Sequence, residues 1–200
     1  RGALQLGVPV SVDTYKPEVM RAALDLGADI VNDIWALRQP GATAVVARHP
    51  SCGVCLMHMH GDPATMQNAP MTGDAVPQVL QFLELRAQAL QALGVEKHRI
   101  VLDPGIGFGK TVAQNFSLLA RQRELLAAGW PLLVGWSRKS SIGAALQGDA
   151  PAPPPPAERV IGSVAAALLA VERGARIVRV HDVRETVQAL AVWRQARKYY

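Results

Sequence analysis

Only two of the 200 residues are cysteine, no run of eighteen apolar residues occurs, aromatics make up 5% of the chain, and no five basic residues stand together. The first scarcity argues against a disulfide scaffold. The second argues against an α-helical membrane span. The start at Arg1-Gly2 lacks the charged, apolar and small-residue order of a signal peptide, so a soluble, cytoplasmic protein that does not engage membranes is expected. Lys and Arg (21) exceed Asp and Glu (16), leaving a net charge of +5. Those charges are spread along predicted helix faces and no aromatic series accompanies them, which argues against nucleic acid and leaves anionic small molecules as partners. Cys52 and Cys55 have C-x-x-C spacing, yet a zinc site needs further ligands at suitable spacing. Two ordinary reduced thiols are expected.

What is present is apolar: half of the residues, with 18% charged. That composition suits one substantial core and one domain over residues 1–200. Short β-rich runs ending in polar residues alternate with stretches whose apolar residues recur every three to four positions. Strands are expected at Pro9 to Thr14, Ala28 to Ile34, Gly53 to Met59, Arg99 to Pro104, Pro131 to Ser137 and Ala175 to Asp182. Helices are expected at Pro17 to Leu26, with Val19, Ala23 and Leu26 on one face and Gly27 as its stop, and at Ala42 to Arg48 and Asp74 to Leu93. Further helices are expected at Val112 to Ala128, Ser141 to Leu146, Glu158 to Arg173 and Val183 to Lys198. Asp149 to Ala157 holds five prolines and reads as a loop.

Strands such as Ile100-Val101-Leu102 and Leu132-Leu133-Val134 are apolar on both faces, as in a covered parallel sheet. Alternating β and α means an α/β fold. A doubly wound sheet and a (β/α)8 TIM barrel both fit. A barrel carries its chemistry at the C-terminal ends of many strands, and Asp13, Asn32, His58, Asp103, Ser137, Arg179 and His181 fall at or just past all six. A barrel closes with eight βα units. Only about six are visible, so a barrel truncated at its N-terminus is expected, with the first one or two units and their loops lying before Arg1.

Asp13, Asn32 and Asp103 end three separate strands and suit a ligand with a fork of N–H groups. Singly, each is more often a cap or loop residue. In Asp103 to Thr111 the tail Gly109-Lys110-Thr111 looks like a phosphate loop, but Pro104 stands where that motif needs glycine. A glycine-rich turn remains, with Gly107 letting backbone approach a flat ligand and Phe108 able to stack on it. Ser137-Arg138-Lys139-Ser140 precedes a helix and could hold an anion. A solvated basic turn is the plainer alternative. Arg179 and His181, two apart on the last strand, could hold a pyrophosphate. His58 and His60 are too few to ligate a metal by themselves. Gly162, Ala165, Ala166 and Leu169 form a small apolar face able to pack a helix of this chain or of a partner.

Taken in order, Ser11-Val12-Asp13-Thr14, Asn32-Asp33-Ile34, Leu56-Met57-His58-Met59 with Gly61 and Pro63, Asp103 to Lys110, Ser137-Arg138-Lys139-Ser140 and Arg179-Val180-His181-Asp182 resemble the motifs of dihydropteroate synthase. The resemblance runs from Ser11 to about Thr186. It implies a transferase of folate biosynthesis that joins p-aminobenzoate to a pterin pyrophosphate and is the target of sulfonamides. By that resemblance Asp13, Asn32 and Asp103 bind the pterin edge, Lys139 its oxygen side, and Ile34, Met57, Gly107 and Phe108 line the pocket, with Arg179 stacked on the ring. It places p-aminobenzoate beside Phe108, Lys139 and Ser140, and pyrophosphate with Mg²⁺ on Arg179 and His181. The catalytic residues it implies are Lys139, Arg179 and His181. The magnesium ligand is expected in the segment before Arg1, and a homodimer through the last helices.

Two other readings compete. A methyltetrahydrofolate-binding corrinoid methyltransferase would use Asp13, Asn32 and Asp103 but has no call on Ser137 to Ser140 or on Arg179 with His181. A non-catalytic dihydropteroate synthase paralogue would keep the pocket without turnover.

Overall fold

The computed structural model describes residues 2–62, 65, 66 and 68–199. Pro63, named above beside Gly61, lies outside them. Its strands are β1 (Ser11–Asp13), β2 (Ile30–Asp33), β3 (Gly53–Met57), β4 (Ile100–Asp103), β5 (Leu133–Val134) and β6 (Ile177–Val178). Its α-helices are α1 (Pro17–Asp25), α2 (Ala42–Arg48), α3 (Ala75–Ala92), α4 (Val112–Ala120), α5 (Gln122–Leu125), α6 (Ser140–Leu146), α7 (Val160–Glu172) and α8 (Val183–Ala196). Every strand lies inside its expected span but is shorter. At the strand ends, backbone groups leave the ladder for side chains: the N–H of Val10 donates to Asp29 Oδ2 at 2.7 Å, and that of His181 to Ser137 Oγ at 3.1 Å. Among the described residues no helix is long and apolar enough to cross a membrane.

The chain divides into two compact units, one of Arg1–Met59, Pro77–Gly105 and Ala127–Pro131, the other of His60–Val76, Ile106–Leu126 and Leu132–Tyr200. The first holds a parallel sheet in the order β1-β2-β3-β4. Side chains alternate across a strand, so Val31, Val54, Leu56, Ile100 and Leu102 share one face, and all are buried. Met20 and Leu24 of α1, Val46 of α2, and Leu83, Ala87 and Leu90 of α3 complete the core. Burying each large side chain is worth roughly 1.5–3 kcal/mol, and a one-residue slip of register would expose the whole set.

The buried stripe of α1 corrects the expected one. Met20 and Leu24 go inside, whereas Val19 and Leu26 are exposed. Leu26 is already the C-cap and Gly27, at φ 100°, turns the chain away, so Leu26 has left the helical period. Arg99, just before β4, is buried and ties this unit together. Its guanidinium donates to the carbonyls of Cys52 at 2.8 Å, His49 at 2.9 Å and Val46 at 3.2 Å, the last of which also accepts from the His49 N–H at the end of α2. Cys52 and Cys55 are free, buried thiols, and burial pushes both thiols above the ordinary range.

The second unit pairs β5 with β6 in parallel. Helix α4 starts on a capping box, Thr111 Oγ1 accepting from the Gln114 N–H at 3.2 Å while Gln114 Oε1 accepts from the Thr111 N–H at 2.9 Å. The single helix expected from Val112 to Ala128 is interrupted at Arg121, which splits it into α4 and α5 and a 3₁₀ turn. Two long-range bonds meet at the break, one on the surface and one in the core. Arg121 pairs with Asp74 at 2.8 Å, and the next residue, buried Gln122, donates to the Ala170 carbonyl at 2.8 Å. Gly162 meets Ile142 and Leu146 so closely that an added Cβ would lie 2.7 Å from Ile142 Cγ2, so the small face of α7 packs α6 of the same chain. The expected loop Asp149 to Ala157 ends early, because Pro156 opens a 3₁₀ turn through Arg159 at a position where its fixed φ suits a helical start.

Candidate active site

The cross-strand register of the first sheet places several expected residues on one face. Asp13 is the partner of Asn32, Asn32 of Cys55, and Met57 of Asp103. By the two-residue period, all five side chains emerge opposite the apolar core, at or near the C-terminal ends of their strands. Adjacent strands lie ~4.8 Å apart, so the row is compact. Asp13 is exposed on the edge strand, whereas Asn32, Met57 and Asp103 are buried. Ile34, one residue past β2, continues the parity of Asn32 and is half-buried. Cys55, which sequence reasoning did not place here, stands between Asn32 and the β4 ladder. Its thiol is held well above the ordinary range by burial first, with the charges of Asp103, Asp13 and Asp33 adding.

Asn32 Oδ1 is buried and has no hydrogen-bond partner among the described residues. A buried acceptor left unpaired costs about 1–3 kcal/mol, which a ligand N–H would recover. Asp33, beside it, faces the other way. It is fully buried and accepts from the N–H groups of Trp35 and Leu37, both at 2.8 Å. Burial raises its carboxyl above the usual range despite those bonds. Ala36 and Leu37 take positive φ of 52° and 57°, and Arg86 secures their carbonyls at 2.8 and 3.2 Å. This turn follows Asn32 and Ile34 directly, so its rigidity aims them.

Asp103 Oδ1 accepts from the Gly105 N–H at 2.7 Å. A Cβ at Gly105, where φ is 66°, would fall 1.8 Å from the His58 carbonyl oxygen. Glycine is required here on both counts.

In the second unit the turn continues through Gly107 and Gly109, also at positive φ. A Cβ at Gly109 would lie 2.3 Å from the His60 carbonyl oxygen. The Gly107 N–H donates to Asn115 Oδ1 at 2.8 Å, and Asn115 Nδ2 donates to Ser141 Oγ at 3.0 Å. Buried Asn115 thus joins the turn to the start of α6. Lys110 turns inward, donating to the Phe108 carbonyl at 3.1 Å, and takes no phosphate-loop role. Lys139 Nζ lies 4.8 Å from the centre of the Phe108 ring and donates to the Ile106 carbonyl.

A cavity of about 430 Å³ is lined by Gly135, Ser137, Arg138, Lys139, Pro156, Arg179 and His181. A Cβ at Gly135 would lie within 3.9 Å of both Lys139 and Arg179, so the bare backbone makes room for the two cations. Some expected positions shift. β5 ends at Val134, three residues before Ser137, and α6 begins at Ser140, which is exposed. β6 ends at Val178, so Arg179 and His181 lie beyond the strand and not on it. The Arg179 N–H still donates to the Val134 carbonyl at 2.9 Å, and His181 is carried by Ser137, with Nδ1 2.9 Å from Oγ. Arg138 forks onto Asp182 at 2.5 and 3.1 Å, and this partner holds the Asp182 carboxyl below its usual range. Sequence reasoning gave no site role to Cys55 or Asn115: Cys55 reads as one more strand position, and Asn115, after Gln114, as a surface polar residue.

The cavity suits an anion of phosphate type. It does not suit a bare divalent cation, since its charged side chains are basic. Among the described residues no group of three His, Cys, Asp or Glu could hold a metal ion.

Residues 2–181 match the model of a family described as pterin binding enzyme. A dihydropteroate synthase of Neisseria meningitidis serogroup B is 51% identical over 191 residues, covering 94% of this chain and 65% of that protein. The chain therefore spans about two thirds of the length of the curated relatives it matches. Among solved structures, dihydropteroate synthase of Burkholderia cenocepacia complexed with 7,8-dihydropteroate superposes with a TM-score of 0.89 at 54% identity, over 98% of this chain and 71% of that one. The Yersinia pestis dihydropteroate synthase with a sulfonamide drug superposes with a TM-score of 0.90 at 43% identity, over 97% and 68%. Likeness at this level shows a shared α/β fold of the TIM-barrel class.

Proposed function

This chain belongs to the pterin-binding enzyme family, and from that premise we propose that the protein containing it is a cytoplasmic dihydropteroate synthase. It condenses 6-hydroxymethyl-7,8-dihydropterin pyrophosphate with p-aminobenzoate, giving 7,8-dihydropteroate and pyrophosphate. The observation that carries this reading is the row of Asp13, Asn32, Met57 and Asp103 on one face of a parallel sheet. Two carboxylates and an unpaired amide oxygen match the N–H-rich edge of a pterin, while Met57 and Ile34 supply apolar walls. The product complex of the Burkholderia relative supports the substrate class.

In this reading Lys139 addresses the pterin oxygen side, and Phe108 and Gly107 form a flat wall. Arg179 stacks on the ring. Ser140 receives the p-aminobenzoate carboxylate, next to Phe108 and Lys139. The aniline nitrogen attacks the pterin methylene as the pyrophosphate leaves, its charge taken up by Arg179 and His181. No protein nucleophile is required, so catalysis rests on positioning and on stabilising the leaving group. Mg²⁺, if bound, would be held through the pyrophosphate beside Arg179 and His181 and would neutralise part of its charge. The residues form part of one pterin-binding barrel. Exposed Ile161 on α7 and Val187 and Val192 on α8 support a homodimer. The methyltransferase reading leaves the basic cavity without a use.

The test is to incubate the intact protein with the pterin pyrophosphate and p-aminobenzoate and to measure dihydropteroate and pyrophosphate in equal amounts. Methyl transfer from methyltetrahydrofolate without formation of dihydropteroate would overturn the assignment.

A further inference from the structure

We infer that Ser137 is a positioning residue that fixes His181 as the tautomer protonated on Nε2, so that this N–H is the one offered to the leaving anion. The inference rests on the proposed function for the identity of that anion, though not for the tautomer. Ser137 is buried, and among the described residues its hydroxyl has two hydrogen-bond partners, both on His181: the backbone N–H at 3.1 Å and ring Nδ1 at 2.9 Å. A hydroxyl carries one proton and two acceptor sites. The backbone N–H can only donate, so it takes one lone pair. The hydroxyl proton then has one acceptor within reach among the described residues, Nδ1.

If Nδ1 carried a proton instead, two donors would converge on Oγ and the buried hydroxyl proton would be left unpaired, which is costly. Which ring nitrogen of a histidine is protonated is set by the bond the other makes. With Nδ1 accepting, Nε2 bears the hydrogen. His181 is exposed where it lines the basic cavity with Arg138, Lys139 and Arg179, so the remaining donor serves an anion there. The neighbouring Arg138 to Asp182 fork locks the same two loops one residue further on, which keeps the Ser137 and His181 distances from drifting.

The experiment reads the side-chain ¹⁵N shifts of His181 in the intact protein above neutral pH, for the parent, Ser137→Ala and Ser137→Thr. A single Nε2–H form is expected in the parent and in Ser137→Thr, which keeps the hydroxyl, and a mixture of tautomers in Ser137→Ala. Ser137→Ala should lose on the order of tenfold in kcat, the worth of about one hydrogen bond, with KM for p-aminobenzoate unchanged, and Ser137→Thr should restore it. An Nδ1–H form in the parent, or unchanged shifts in Ser137→Ala, overturns the inference whatever the activity. An Nε2–H form in a protein that does not bind inorganic pyrophosphate overturns the functional reading and upholds the tautomer.

Discussion

Arg138 reaches Asp182 through two bonds, Nη2 2.5 Å from Oδ1 and Nε 3.1 Å from Oδ2, so the loop after β5 and the loop after β6 are fastened by a fork. Ser137 to His181 is the parallel fastening one residue earlier. Together they make the basic cavity a property of two loops held in one register, with Arg138 kept at a positive φ of 60°. Its N–H donates to Ser163 Oγ at 2.9 Å and its carbonyl accepts from Arg159 at 2.9 Å, which holds that conformation.

Because Arg138 holds the Asp182 carboxyl below its usual range, the pair stabilises the fold above the unfolded-state pKa, about 3.9, and that contribution is lost as pH falls through the lower, folded value. Asp182→Asn should therefore melt below the parent at pH 7, and the gap should close as pH falls below about 4. Thermal melts of both proteins across that range check it. A gap that stays constant with pH would assign the pair no such role.

Lys139→Ala and Asp103→Asn each remove one electrostatic contact to the reacting pterin in the proposed mechanism. Each should cost on the order of 2–4 kcal/mol in transition-state binding. Initial rates with both substrates give kcat/KM directly. Turnover within about threefold of the parent for both variants would remove these residues from the mechanism.

Gly105→Ala meets two penalties, a positive φ and a backbone oxygen 1.8 Å from the new Cβ. The left-handed conformation costs roughly 1–2 kcal/mol and the clash roughly 1–3 more. Gly27→Ala has a positive φ of 100° but open space around it, so only the first penalty applies. Chemical denaturation of the two variants should rank Gly105→Ala as clearly the less stable.

Arg99→Met keeps much of the aliphatic length of the side chain but strands the carbonyls of His49 and Cys52 and takes one of two donors from that of Val46. Unpaired buried carbonyls cost about 1–3 kcal/mol each, so a loss of at least about 2 kcal/mol is expected by urea titration. An effect below about 0.5 kcal/mol would mean water satisfies them.

The order of strands was legible because it is written in local signals: apolar runs such as Ile100-Val101-Leu102, entered from charged residues and closed by Asp103-Pro104-Gly105. So was the row of Asp13, Asn32 and Asp103, because strand parity carries a polar end residue to a definite face. Strand length was not, since Val10 and His181 give their N–H groups to side chains that sequence spacing does not reveal. The break at Arg121 depends on Asp74 and Ala170, each nearly fifty residues away. The stripe of α1 was misread because Leu26, apolar and in phase, already belongs to the cap. Arg99 and Asn115 looked like surface polar residues until their distant partners were in place.

The turn through Gly105 and Gly109 presents peptide planes where most turns present side chains. Gly105 and Gly109 are themselves buried, so this stretch of backbone cannot be reshaped by substitution without dislodging the neighbouring carbonyls of His58 and His60, and variation in the turn is left to Ile106 and Phe108.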